Sequence, residues 1–112
     1  MRRGKPLRGR ALAAITDLRS GLAKLYGPRL RNVILYGSWA RGEANADSDI
    51  DLAIVLDGRV MPFREIDRMG DILTDIDLEY GVLLSVYPVS RQRYHTVRSP
   101  LLSNVRREGI AI

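Results

Sequence analysis

The stretch Tyr36–Leu56, YGSWARGEANADSDIDLAIVL, decides how this chain is read. It closes on an unbroken apolar run, Leu52–Leu56, which has the composition of a strand buried on both faces. The run is entered through Asp49-Ile50-Asp51, so two carboxylates stand one residue apart at its mouth. Strand residues i and i+2 point to the same face, so Asp49 and Asp51 are expected side by side. Left without a partner, each carboxylate raises the pKa of the other. A divalent cation relieves that repulsion. Mg²⁺ suits the pair, because it takes one or two protein carboxylates and completes its shell with water and substrate phosphates.

The start of the stretch is consistent with the same chemistry. Gly37-Ser38 follows a short β-branched run, Asn32–Tyr36, that reads as a strand. Glycine turns the chain there and lets a phosphate approach the backbone, and the serine hydroxyl adds a donor. Ser38–Arg41 is predicted as one helical turn, with Arg41 as a cation for phosphate oxygens and Gly42 releasing the chain. Singly, each feature has a structural reading: a turn, a pair of solvated acids, a surface arginine, and Tyr36 and Trp39 as packing residues. The weight lies in their order and spacing.

Outward from this stretch, the pattern alternates between helix and strand. Leu12, Ile15, Leu18, Leu22 and Leu25 mark an apolar stripe on a helix over Arg10–Tyr26, stopped by Gly27-Pro28. Glu43–Ser48 is a polar loop, Asp49–Leu56 the second strand and Asp57-Gly58 a turn. Pro62 opens a helix to Tyr80 with Phe63, Ile66, Met69, Leu73 and Ile76 inward and Asp67, Asp71, Asp75 and Glu79 outward. Gly81 caps it, and Val82–Val89 is the third strand, ending near Pro88. Arg91–His95 reads as a solvated basic-aromatic loop. Ser99-Pro100 opens a last helix to about Arg107, and Ile110–Ile112 adds a short strand. The expected architecture is α/β (α+β): a small mixed sheet with helices packed on it, in the order α-β-turn-β-α-β-α.

Composition narrows the function classes. The chain has 112 residues, 46% apolar and 28% charged, which fits one globular domain. It has no cysteine and a single histidine, so neither a disulfide framework nor a zinc-hydrolase constellation is expected. A reducing, cytoplasmic location and the absence of a secretory signal are the corresponding expectations. Five of the 18 basic residues fall in the first ten, and without them the body is neutral. Residues 1–9 are read as a basic, flexible tail and 10–112 as the domain. The tail suits nucleic acid or an acidic partner no better than it suits solvent. Eleven acids lie between Glu43 and Glu79 against three arginines, a balance that a metal or a solvated helix face would explain.

Gly37-Ser38-Trp39-Ala40-Arg41-Gly42 followed by Ser48-Asp49-Ile50-Asp51-Leu52 resembles the signature of the nucleotidyltransferase superfamily that includes DNA polymerase beta. The short chain is similar to its minimal nucleotidyltransferases, the antitoxins paired with HEPN-domain toxins. The resemblance covers about Leu30 to Ile112. It implies a nucleotidyltransferase fold in which Gly37, Ser38 and Arg41 bind the triphosphate, ATP by expectation, and in which Asp49 and Asp51 are catalytic and hold Mg²⁺, two ions with nucleotide bound. The implied reaction transfers AMP to a hydroxyl of a HEPN toxin. A homo-oligomer is compatible with it, whereas membrane association is not expected.

Two alternatives stay open. One is a catalytically weak or inactive nucleotide-binding antitoxin that neutralises its toxin by binding. The other is transfer to a small molecule of aminoglycoside type, for which the chain lacks a substrate domain. The superfamily's third carboxylate is missing from Val82–Tyr87. Asp77, Glu79, Glu43 and Asp47 are its nearest substitutes in sequence.

Overall fold

The computed structural model describes residues 7–112; Arg2, Arg3 and Lys5 of the basic tail lie outside them. In chain order the elements are α1 (Leu7–Tyr26), a 3-10 turn (Gly27–Arg29), β1 (Leu30–Tyr36), α2 (Ser38–Arg41), β2 (Ile50–Leu56), α3 (Pro62–Tyr80), β3 (Leu84–Ser90), α4 (Arg91–Thr96), α5 (Pro100–Glu108) and β4 (Ile110–Ala111). The four strands form one mixed sheet in the order β3-β2-β1-β4. β1 pairs antiparallel with β2 and β4, while β2 and β3 are parallel, joined by α3 as the crossover that a parallel pair requires.

The strand β2 carries the fold. Its residues alternate between two cores. Leu52, Ile54 and Leu56 face a large core built with Leu18 and Leu22 of α1 and Met69 and Ile76 of α3. Ala53 and Val55 face a smaller core with Ile34, Val89 and, from α5, Leu102 and Val105. Burial on both faces explains why this stretch reads as continuous rather than alternating hydrophobicity. Among the described residues no helix is long and apolar enough to cross a membrane.

Several expectations need correction. α1 begins at Leu7, and its inward stripe is Ala11, Ala14, Ile15, Leu18, Leu22 and Tyr26; Leu12 and Leu25 are exposed. Small alanines occupy the contact where the larger leucines were expected. On α3, Phe63 is 88% exposed and Ile66 is also exposed, while Glu65, at 3%, is buried. The inward stripe runs through Glu65, Met69, Ile76 and Tyr80, one position off the expected one in its first turns. Pro88 lies inside β3 rather than ending it, which is tolerated because β3 is an edge strand. Arg91–Thr96 is helical rather than a loop, because the Ser90 hydroxyl caps it by accepting from the Arg93 N–H at 3.1 Å.

The buried Glu65 is stabilised by the Tyr26 hydroxyl, which donates to its Oε1 at 2.9 Å, with Arg68 at 3.8 Å and Arg29 at 4.0 Å. Burial and this acidic neighbour together raise the Tyr26 pKa. Tyr26→Phe leaves a buried carboxylate oxygen short of a donor, and is expected to cost about 1–3 kcal/mol of stability, read by urea unfolding.

Candidate active site

Antiparallel pairing of β1 and β2 sets the end of one strand beside the start of the other: Tyr36 lies opposite Asp51. The chain leaves β1 at Gly37 with φ 74° and ψ −154°, a conformation open essentially to glycine alone. A Cβ built there would stand 2.3 Å from Asp51 Oδ2, so that carboxylate fills the space a side chain at Gly37 would need. Ser38–Arg41 then forms the expected single turn, with the Arg41 N–H donating to the Gly37 carbonyl at 3.1 Å.

The return to β2 is held by a small hydrogen-bonded loop. The Asn45 N–H donates to the Ser48 hydroxyl at 2.9 Å, the Asp47 N–H to Asn45 Oδ1 at 2.9 Å, and the Ser48 N–H to the Asn45 carbonyl at 3.1 Å. Ser48 is thus a staple that delivers Asp49 to the strand. Asp49 sits exposed one residue before β2 rather than inside it, and Asp51 is half-buried within it. Burial raises the Asp51 pKa, the charge of Asp49 raises it further, and Arg41 offsets part of this. The charge of Asp49 therefore acts on Asp51.

Asp51 shares its sheet face with Ser85 of β3, directly opposite it, and with residues of the neighbouring strands. The Tyr36 hydroxyl is pushed up to about 12 by burial and by the nearby Asp51 and Tyr87. Tyr36 packs against the smaller core and also borders the acid pair, so the packing role read from sequence is half of its position. Trp39 packs against the larger core, although its indole N–H finds no partner among the described residues.

No acid on β3 completes a carboxylate triad. Asp77 Oδ1 accepts from the Leu84 N–H at 3.0 Å and so fastens the start of β3. Glu43 pairs with Arg41 at 2.9 Å, while Glu79 and Asp47 are exposed. Among the described residues no group of three His, Cys, Asp or Glu side chains is placed to hold a metal ion. The donor set at the strand mouth is two carboxylate side chains, hard oxygen donors in number sufficient for Mg²⁺ when substrate phosphates and water supply the remainder.

Glu108, at the end of α5, went unnoticed in the sequence. Its Oε1 accepts from the Gly37 N–H at 3.0 Å and pairs with Arg41 at 3.2 Å. It therefore engages two of the residues expected to bind phosphate. A signal did exist, since a carboxylate in the last turn of a helix opposes the helix dipole and needs a compensating partner.

A family model described as polymerase beta, nucleotidyltransferase, matches residues 22–112. This chain belongs to the polymerase beta nucleotidyltransferase family. Of this nucleotidyltransferase's relatives, "Putative protein adenylyltransferase MJ0604" of Methanocaldococcus jannaschii is 32% identical over 97 residues, 86% of this chain and 91% of the relative. "Putative protein adenylyltransferase MJ0141" of the same organism is 26% identical, over 88% of this chain and 94% of that one. Among solved structures, a "putative minimal nucleotidyltransferase" superposes with a TM-score of 0.59 at 26% identity, over 99% of this chain and 100% of its own. The fold is shared with a chain of a toxin–antitoxin assembly solved with AMP-PNP, at a TM-score of 0.59 and 19% identity, over 85% of this chain and 69% of that one.

Proposed function

We propose that this nucleotidyltransferase transfers AMP from ATP to a hydroxyl of a protein partner, and that the partner is a HEPN toxin which the transfer silences. The observation that carries the reading is the Asp51 carboxylate standing in the space that a side chain at Gly37 would fill. It brings the Gly37 turn and Asp51 close together, which supports a site that uses both. The relatives' names support protein adenylylation, and the toxin–antitoxin fold likeness agrees with the partner.

In this reading Asp49 and Asp51 hold Mg²⁺, which would neutralise charge on the transferring phosphoryl group. Gly37, Ser38 and Arg41 orient the triphosphate for in-line attack. The acceptor oxygen forms a bond to the α-phosphorus, the bond from that phosphorus to the bridging oxygen breaks, and pyrophosphate leaves. The hydroxyl proton passes to solvent, because β3 carries no acid and sets Ser85 opposite Asp51. A missing general base slows transfer by roughly 10²–10⁴.

Ser85 also favours a second reading, in which the chain binds nucleotide and neutralises its toxin by occlusion. One experiment separates the two. The purified chain is incubated with its HEPN partner, ATP and Mg²⁺, and the partner's intact mass is read. Added AMP that vanishes in the Asp49→Ala, Asp51→Ala double variant supports transfer, whereas an unmodified yet neutralised partner supports occlusion.

Glu108 competes with the triphosphate for Arg41 and the Gly37 amide in this account. Glu108→Gln is expected to tighten ATP binding by roughly tenfold, the scale of one charge-assisted hydrogen bond. Titration with a fluorescent ATP analogue at fixed Mg²⁺ checks it; weakened binding would give Glu108 a supporting role instead.

A further inference from the structure

At the far end of the sheet from Asp51, Arg29, Arg59, Arg64 and Arg68 line one pocket of about 220 Å³ together with Met61 and Glu65. The separation is roughly 20 Å along β2. The pocket is built around fixed groups. Arg29 Nε donates to the Asp57 carbonyl at 3.1 Å, its Nη2 to the Arg59 carbonyl at 3.1 Å, and its guanidinium lies 5.6 Å from the centre of the Tyr26 ring. Glu65, almost wholly buried, draws Arg29 and Arg68 toward itself.

One carboxylate does not balance this set. Arg59 and Arg64 form no ion pair with a described residue, so the pocket is lined by four arginines and one buried acid, which pairs with two of them. The other acids nearby do not change this. Asp57 pairs with Arg31 at 3.6 Å and Arg91 at 3.5 Å, and Asp67 lines an adjoining groove without pairing with Arg59 or Arg64. Arg64 and Arg68 sit one turn apart on α3, where like charges repel unless an anion lies between them. All four cations are arginines, whose planar forks match phosphate oxygens in a way that lysine does not.

We propose that this pocket binds a phosphoanion of at least two negative charges, borne either by a free diphosphate or by a nucleic-acid strand. The site is independent of the acid pair at the other end of β2. The test is calorimetric titration of the full chain with pyrophosphate, in EDTA and at fixed ionic strength, where a metal-dependent site is silent. Binding is expected in the native chain and in the Asp49→Ala, Asp51→Ala variant alike. It is expected to weaken more than about tenfold in Arg59→Ala, Arg64→Ala. Both arginine side chains are exposed, so that variant keeps the buried framework.

A short single-stranded oligonucleotide forms the second arm. Tighter binding than pyrophosphate, lost in the same variant, assigns the phosphate to a strand; equal or weaker binding assigns it to a free anion. Absence of binding to both probes, or equal binding by the native and Arg59→Ala, Arg64→Ala chains, would overturn the proposal.

Discussion

Asp51→Asn is expected to lower AMP transfer by about 10³-fold or more while leaving the melting temperature unchanged or higher. A carboxylate that holds a metal against the reacting phosphoryl group supplies several kcal/mol of charge stabilisation, and about 1.4 kcal/mol corresponds to each factor of ten. The stability side has the opposite sign for a stated reason. Burial and the charge of Asp49 raise the Asp51 pKa in the folded chain. Its ionised form therefore favours the unfolded state, and this cost grows as pH rises through the unfolded and then the folded pKa. An uncharged isostere removes that cost. Transfer by single-turnover kinetics and stability by thermal unfolding are the two readouts. A variant that melts well below the native chain would make Asp51 a structural residue, and one that still transfers AMP would remove it from the site.

The second large effect is expected at Gly37. Gly37→Ala forces a side chain into a positive-φ, extended-ψ conformation, at a cost of about 1–3 kcal/mol. It also drives a Cβ to 2.3 Å from Asp51 Oδ2. The acid must move or the turn must open, and either displaces the carboxylate from its partner. A fall in melting temperature of about 5–15 °C is expected, with loss of transfer as deep as that of Asp51→Asn. Gly42→Ala is the internal control. Gly42 also has φ 74°, but nothing lies within 4 Å of its added Cβ. It is expected to cost stability of about 1–2 kcal/mol and to retain transfer.

The central stretch was legible because its constraints are local. A strand buried on both faces, a glycine at its neighbour's end and two acids at i and i+2 are all written within Tyr36–Leu56, and the helical turn at Ser38–Arg41 appeared as read. The inward face of α3 was misread at its start because hydropathy cannot foresee a buried Glu65. Tyr26 and Arg29, which stabilise it, come from the other side of β1 in the chain. Phe63 and Ile66 were assigned inward by their apolarity alone. The α4 helix was missed because its signal is a single serine cap ahead of polar residues, with no apolar stripe to support it. Glu108 carried a signal that it needs a partner but none that named it: Gly37 is 71 residues away, and the packing of α5 and the pairing of β4 with β1 bring the end of α5 to the site.

The most direct test is a crystal of the chain grown with Mn²⁺ and a non-hydrolysable ATP analogue, examined by anomalous scattering at the manganese edge. A manganese peak shared by the carboxylates of Asp49 and Asp51 is expected, with the triphosphate lying along Gly37 and Ser38. A bound nucleotide whose manganese sits away from both acids, or an acid pair left without manganese at saturating nucleotide, would contradict it.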